Sequence, residues 1–322
     1  MKLIKTEDAV GHVLCHDMTQ IIKDQYKDAR FRKGHVVTEE DIPVLLSMGK
    51  EHLYVWEMTS GMVHENDAAE RLLALCGQEN MIRSGVKEGK IELKAACDGV
   101  FLVDSARLVA VNSQDEVMIA TRKGGMAVRE GDKLAGMRVI PLIIEEEKLR
   151  KAEQAAGDKP LLSLKPYVRK TACIVATGGE VKKGLIKDTF TPIVIDKLKT
   201  YGIETLEVVY SGDGVENVRD AVLTMREKKP DMILCTGGMS VDPDDNTPGG
   251  IKAAGANIIA YGAPVLPGAM FLLGYFDDGM PVMGLPGCVM YAGATVFDLV
   301  LPKIAADVPV TRADLAALGE GG

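Results

Sequence analysis

What this 322-residue sequence lacks narrows its class first. It holds one tryptophan, only 5% aromatic residues and five histidines. Its six cysteines (Cys15, Cys76, Cys97, Cys173, Cys235 and Cys288) are scattered, with no C-x-x-C pair. That argues against a disulfide framework and for a reducing compartment. Cys173 and Cys235 sit in apolar strand-like runs, where cysteine acts as a small hydrophobe. His12, Cys15, His16 and Asp17 lie close together, but nothing supplies a closing ligand set, so they read as surface or partly buried groups. No apolar run reaches membrane-spanning length, and the opening MKLIKTEDAVGH has no apolar signal core. A cytoplasmic protein without a membrane partner is expected. An excess of basic residues is also missing: 38 Lys+Arg face 46 Asp+Glu, a net charge of −8. A nucleic-acid partner is therefore not expected. An anionic small ligand stays compatible, because backbone N–H groups at helix N-termini hold phosphate without basic side chains.

What is present is a globular composition, 47% hydrophobic and 26% charged, and length enough for two or three domains. The chain divides by pattern into an N-terminal α+β segment (1–60), a β-rich domain with flanking helices (61–150), a linker (151–167), an α/β domain (168–308) and a tail (309–322). In the first half, a helix is expected over Thr38–Gly49, a strand at HLYVWE (52–57) and a helix over Asn66–Gly77. Five short strands follow: KIELKAA, GVFLVD, RLVAV, VMIAT and RVIPLII.

The second half alternates strands and helices. TACIVAT (171–177), ETLEVVY (204–210), DMILCT (231–236) and PVMGL (281–285) read as buried strands. Helices are expected to open at Thr191-Pro192, at Asp213 through a capping box with Glu216, and at Thr247-Pro248, with an apolar helix over 288–301. Such alternation implies a doubly wound, mainly parallel sheet with helices on both faces, preceded by a smaller α+β, β-rich region.

In an open parallel sheet, ligands bind beyond the carboxyl ends of the strands, near a switch in strand order. Four turns emerge from such ends: Thr177-Gly178-Gly179-Glu180, Ser211-Gly212-Asp213, Thr236-Gly237-Gly238 through Asp245, and Leu285-Pro286-Gly287. Each is rich in glycine, acid or hydroxyl groups. In the longest, which also holds Ser240 and Thr247, Asp242, Asp244 and Asp245 stand within four positions. Three carboxylates that close repel one another unless compensated. A hydrated Mg²⁺ shared with substrate phosphate would do so; an exposed, solvated acidic loop is the equal alternative. Asp213 reads as a helix cap with a catalytic role added. Asp188 and Glu180 are either solvated turn residues or pocket acids. Lys182, Lys183 and Lys187 either face a phosphate or are a solvated charge cluster. Cys288 is either a low-pKa soft-metal ligand or, the preferred reading, a small neutral residue.

Thr236-Gly237-Gly238, followed by Pro243-Asp244-Asp245-Asn246-Thr247-Pro248, resembles the TGG…P-x-D-x-T-P signature of the molybdopterin-binding domain. Molybdopterin adenylyltransferases and molybdenumtransferases share that domain. Thr177-Gly178-Gly179-Glu180, Gly184-Leu185-Ile186-Lys187-Asp188 and Gly284-Leu285-Pro286-Gly287 resemble motifs of the molybdenumtransferase branch, in the expected order. The resemblance spans roughly residues 168–308. Glu7 to Leu14 is weakly similar to the start of that branch.

The resemblance implies binding of molybdopterin, alone or adenylated, with Mg²⁺ and molybdate. It implies metal and catalytic roles for Asp245 and Asp213, with Asp242 as a third metal ligand, and pocket roles for Glu180 and Asp188. Thr177, Gly178, Gly179, Ser211, Gly212, Thr236, Gly237, Gly238, Ser240, Thr247, Pro286 and Gly287 complete the expected ligand site. There are departures. Leu266 and Ala269 stand where that branch carries lysines, Cys288 replaces an asparagine, and the chain stops soon after Pro302 without a further β-domain. The expected activity is insertion of molybdate with release of AMP. The alternatives are Mg-ATP-dependent adenylation of molybdopterin and a non-catalytic carrier or sensor serving a molybdoenzyme. By the same resemblance the chain is expected to form a homodimer.

Overall fold

A computed structural model describes residues 2–22, 26–55, 61–240 and 245–321. The chain falls into two compact units. The first comprises residues 1–96, 103–124 and 131–163, and the second residues 97–102, 125–130 and 164–322.

The first unit begins with strands Lys2–Lys5 and His52–Val55, paired antiparallel. Beside them are a hairpin of Met18–Ile22 with Tyr26–Phe31 and a helix, Asp41–Ser47. Leu14, Val37, Leu45 and Leu53 are buried together there. Trp56 and Glu57 of the expected HLYVWE strand lie outside the described residues. A four-stranded antiparallel sheet follows, in the order Met81–Arg83, Ile91–Ala95, Lys133–Val139, Val117–Thr121. Helices Glu65–Leu75 and Glu146–Ala156 also belong to this unit.

Two expectations fail here. RVIPLII is not one strand: Val139 ends the strand Lys133–Val139 and Ile143 opens another, Ile143–Glu145. RLVAV is not a strand but lies in the helix Ser105–Asn112. The Asp104 carboxylate accepts a hydrogen bond from Arg107 N at 3.1 Å and so caps the helix start. That local bond outweighs the β preference of Val109 and Val111.

The main sheet of the second unit has six strands: β1 (Thr171–Thr177), β2 (Glu204–Ser211), β3 (Met232–Thr236), β4 (Asn257–Tyr261), β5 (Leu272–Tyr275) and β6 (Pro281–Leu285). Their order is β2-β1-β3-β6-β5-β4. β2, β1, β3 and β6 run parallel, while β5 is antiparallel to both β6 and β4. The helices are α1 (Gly179–Lys182), α2 (Phe190–Lys199), α3 (Val215–Glu227), α4 (Thr247–Ala253), α5 (Val296–Ala305) and α6 (Arg312–Ala316).

Alternation along β1 sends Ala172 and Ile174 to one face and Cys173 and Val175 to the other. The first pair packs with Val194 and Leu198 of α2, Phe297 and Val300 of α5, and Leu315 of α6. The second packs with Val218 and Val222 of α3 and Ile251 of α4. This is the expected doubly wound sheet, covered on both faces.

Three helix starts differ from the sequence reading. α2 begins at Phe190, not at a Thr191 cap: Asp188 Oδ1 accepts from Phe190 N at 2.9 Å and Thr191 N at 3.0 Å. α3 has no side-chain cap, because the Asp213 carboxylate is taken by Gly179 N, 3.0 Å away. The apolar stretch 288–301 is not one helix. A 3-10 turn over Gly287–Met290 precedes α5, whose own capping box joins Thr295 and Asp298.

Candidate functional site

Parallel strands in matched register bring their carboxyl ends to one edge. Thr177 of β1 pairs with Ser211 of β2, Ala176 of β1 with Thr236 of β3, and Thr236 with Leu285 of β6. The chain passes from β1 out to β2 on one side, then returns to β3 on the other. The strand order therefore reverses between β1 and β3, where a ligand crevice is expected. All four predicted turns leave from this edge.

Buried hydroxyls hold the centre of the rim. Thr177, Thr236 and Thr247 are 9%, 2% and 1% exposed, too little to serve as open ligand contacts. Thr177 Oγ1 donates to Thr236 O at 2.9 Å. Thr247 Oγ1 donates to Gly237 O at 2.9 Å, and the two hydroxyls lie 3.2 Å apart. These bonds tie the turn after β3 to the end of β1 and to the start of α4. Gly237 has φ +82°, and a side chain there would run into Thr177 O. Only glycine permits so close an approach in that conformation.

A cavity of about 380 Å³ opens in front of β3 and β6. Gly237, Gly238, Ser240, Asp245, Pro286 and Gly287, all predicted, line it. Its size falls in the small-molecule range. Asp245 Oδ2 accepts from Ser240 N at 2.8 Å, which fixes the carboxylate against the turn. The wall is completed by Met239, Gly268, Ala269, Met270 and Cys288. The sequence singled out Cys288, and Ala269 as the place of a lysine in the resembled branch; Met239, Gly268 and Met270 were not named as site residues. Met239 is held by Tyr261, whose hydroxyl donates to Met239 O at 2.9 Å. Gly268 packs on Val296, with a virtual side chain 2.8 Å from Val296 Cγ1. The available signal for this segment was the resemblance that marks Leu266 and Ala269 as lysine positions. Burial pushes the Cys288 thiol above its ordinary value, against the pull of a backbone hydrogen bond. This favours the small neutral residue over a thiolate.

Gly178, Gly179, Glu180, Ser211, Gly212 and Asp213 form the other half of the rim, at the ends of β1 and β2. Ser211 is buried and donates to Gly212 O at 3.0 Å. Asp213 joins the two turns through Gly179 N and is not part of the cavity wall. Asp188 caps α2. Burial alone would raise its carboxyl, but the Thr191 and Phe190 donors and the Tyr210 hydroxyl outweigh it and leave it below the ordinary aspartate value. Asp242 lies outside the described residues. Among the described residues no group of three or more His, Cys, Asp or Glu side chains could hold a metal.

Asp245 nevertheless suits a hydrated Mg²⁺ that brings its own phosphate ligands. One carboxylate oxygen is bonded to Ser240 N, and among the described residues no Lys or Arg lines the cavity to compensate the charge.

Residues 173–306 match a family model described as "Probable molybdopterin binding domain". Residues 3–57 match a second, described as a domain of unknown function. A CinA-like protein of Mycobacterium tuberculosis is 33% identical over 76 residues, covering 24% of this chain and 18% of its own length. The matched stretch is thus under a fifth of that relative. Two solved structures also align. The protein CinA from Thermoplasma acidophilum is 18% identical, with TM-score 0.36, over 42% of this chain and 98% of its own. The molybdopterin biosynthesis Mog protein from Mycobacterium ulcerans is 20% identical, with TM-score 0.35, over 43% and 97%. No helix among the described residues is long and apolar enough to cross a membrane.

Proposed function

We propose that this chain, whose residues 173–306 are similar to the molybdopterin-binding domain family, binds adenylated molybdopterin at the β1–β3–β6 rim and inserts molybdate with release of AMP. The observation that carries the reading is the meeting of the Gly237-Gly238, Asp245 and Pro286-Gly287 segments around one cavity of about 380 Å³. Their glycines expose backbone amides at a strand-order reversal, which suits an anionic, ring-bearing ligand.

In this reading the chain's residues divide the work. Met239, Met270 and Cys288 give the cavity a polarisable, largely apolar wall for a planar ring. Asp245, held by Ser240 N, would hold Mg²⁺ against the ligand's phosphates. When bound, Mg²⁺ supplies charge neutralisation and Lewis acidity at the phosphoryl oxygens. Asp213 positions the Gly178-Gly179 turn. Glu180 and Asp188 border the end where molybdate enters.

The test is release of AMP from adenylated molybdopterin, dependent on molybdate. The wild type should release it and Asp245→Asn should not. No release under conditions where a known molybdenumtransferase works would reject the catalytic reading.

One observation favours a second reading, a non-catalytic carrier. Among the described residues no lysine or arginine lines the cavity to hold molybdate beside the ring. Tight pterin binding without AMP release would select it.

A further inference from the structure

Among the described residues the cavity wall carries no cation, whereas the opposite half of the rim brings a lysine and an amide over a glycine. Gly212 follows β2 directly, and the space its missing side chain leaves is bounded by two donors. A Cβ there would lie 3.6 Å from Asn217 Nδ2 and 3.9 Å from Lys182 Nζ, with Lys182 Cδ at 3.8 Å. A Cβ on Gly214 would also lie 3.6 Å from Asn217 Nδ2. The Lys182 stem of α1 thus spans the turn after β2 and delivers its ammonium over a bare stretch of backbone. No carboxylate among the described residues comes within ion-pair distance of that ammonium. Glu180, two residues away on the same helix, makes no ion pair with it, and the Asp213 carboxylate beside Gly212 is directed to Gly179 N. Asn217 is oriented by its own bond, Nδ2 donating to Asp213 O at 2.6 Å, which leaves its second amide hydrogen for a ligand.

We propose that this nook, bounded by Lys182 Nζ, Asn217 Nδ2 and the Gly212 backbone, docks a tetrahedral oxyanion. Two sources share that chemistry: free molybdate, and the phosphate ester of the pterin ligand. Naming either one rests on the function proposed above; the nook itself does not. Strands in a sheet stand about 4.8 Å apart, so β2 and β3, separated by β1, place this point roughly 10 Å from the turn that opens the cavity. A ring in the cavity and an oxyanion over Gly212 therefore fit one elongated ligand, or one ligand and its incoming anion. The lysine's job is that of a point charge on a flexible stem.

The test uses the full chain and three variants. Lys182→Met keeps the stem and removes the charge, Gly212→Ala fills the nook at ordinary contact distances, and Lys183→Met is the neighbouring control. Equilibrium dialysis measures molybdate alone. Fluorescence measures a 6-substituted pterin phosphate against its dephosphorylated form. Lys182→Met and Gly212→Ala should each weaken either molybdate binding or the preference for the phosphorylated pterin by tenfold or more. Lys183→Met should change neither, and the affinity for dephosphorylated pterin should hold in every variant. A loss confined to molybdate identifies the free anion as occupant; a loss confined to the phosphorylated pterin identifies the ester. Molybdate binding that depends on Lys182 in a chain that binds neither pterin would leave the nook standing and remove the proposed function. Unchanged oxyanion binding in Lys182→Met, or equal weakening of both pterins, would overturn the proposal.

Discussion

Gly237→Ala should unravel the rim, and its cost can be worked out from two contacts. Gly237 has φ +82°, a left-handed conformation that costs a residue with a Cβ about 1–2 kcal/mol. The added methyl would also press into Thr177 O and lie 2.8 Å from Thr177 Oγ1. Overpacking of this kind costs about 1–3 kcal/mol more, for a total of about 2–5 kcal/mol. For a domain of this size, that lowers the melting temperature by roughly 4–20 °C. Thr177 cannot yield cheaply, since its hydroxyl also donates to Thr236 O. Gly287→Ala is the matched control. It lies on the same cavity wall, its φ is ordinary, and a Cβ there meets nothing within 4 Å. Its effect should stay within about 0.5 kcal/mol. Circular-dichroism melts of the full-length proteins measure both. An unshifted Gly237→Ala, or a Gly287→Ala that falls equally far, would refute the claim that the turn after β3 is locked onto the end of β1.

Thr177→Val keeps the shape but leaves Thr236 O without its buried donor, and urea unfolding should show a loss of about 1–3 kcal/mol. Asp213→Ala removes the acceptor of Gly179 N, so amide exchange at Gly179 should quicken while the global melt moves little; Asp213→Asn should restore protection. Asp188 sits below the ordinary aspartate value, so its stabilisation is present above the unfolded pKa and fades as the pH falls through the folded one. Wild type and Asp188→Ala should melt apart at pH 6, by the ~0.5–2 kcal/mol typical of a lost helix cap, and converge below about pH 4. Glu65 in the first unit is shifted the other way. Burial chiefly raises its carboxyl, Glu88 and Asp17 add to it, and Arg138 and Lys33 oppose. Its folded pKa lies above the unfolded one, so stability is fully present below the ordinary glutamate value and is lost as the pH rises from there through the raised folded pKa. Glu65→Gln should therefore out-melt wild type at pH 8 and lose that advantage below about pH 4.

The four parallel strands were legible because buried parallel strands announce themselves as short apolar runs ended by glycine, and Thr171–Thr177 and Pro281–Leu285 match their expected bounds; the antiparallel strands Asn257–Tyr261 and Leu272–Tyr275 were not foreseen. The four turns were legible as a set for the same reason. What failed was local spelling with a distant partner. Asp213 and Glu216 have capping-box spacing, but the carboxylate bonds to Gly179 N, 34 residues away. The 288–301 stretch is apolar throughout, and its break became visible only through the Thr295–Asp298 cap. Met239, Gly268 and Met270 reach the cavity by packing between segments far apart in sequence, which no spacing rule encodes, whereas Ala269 was marked by the resemblance as a lysine position. The sequence left Lys182, Lys183 and Lys187 open between facing a phosphate and forming a solvated cluster, and only the fold set Lys182 apart by placing its stem over Gly212.

Anaerobic titration of the full chain with molybdopterin, followed by pterin fluorescence, tests the central claim most directly. The account predicts saturable binding at one site per chain, weakened by Asp245→Asn and by any substitution that displaces the Gly237-Gly238 turn. A chain that melts cooperatively yet shows no saturable binding of the pterin would contradict it.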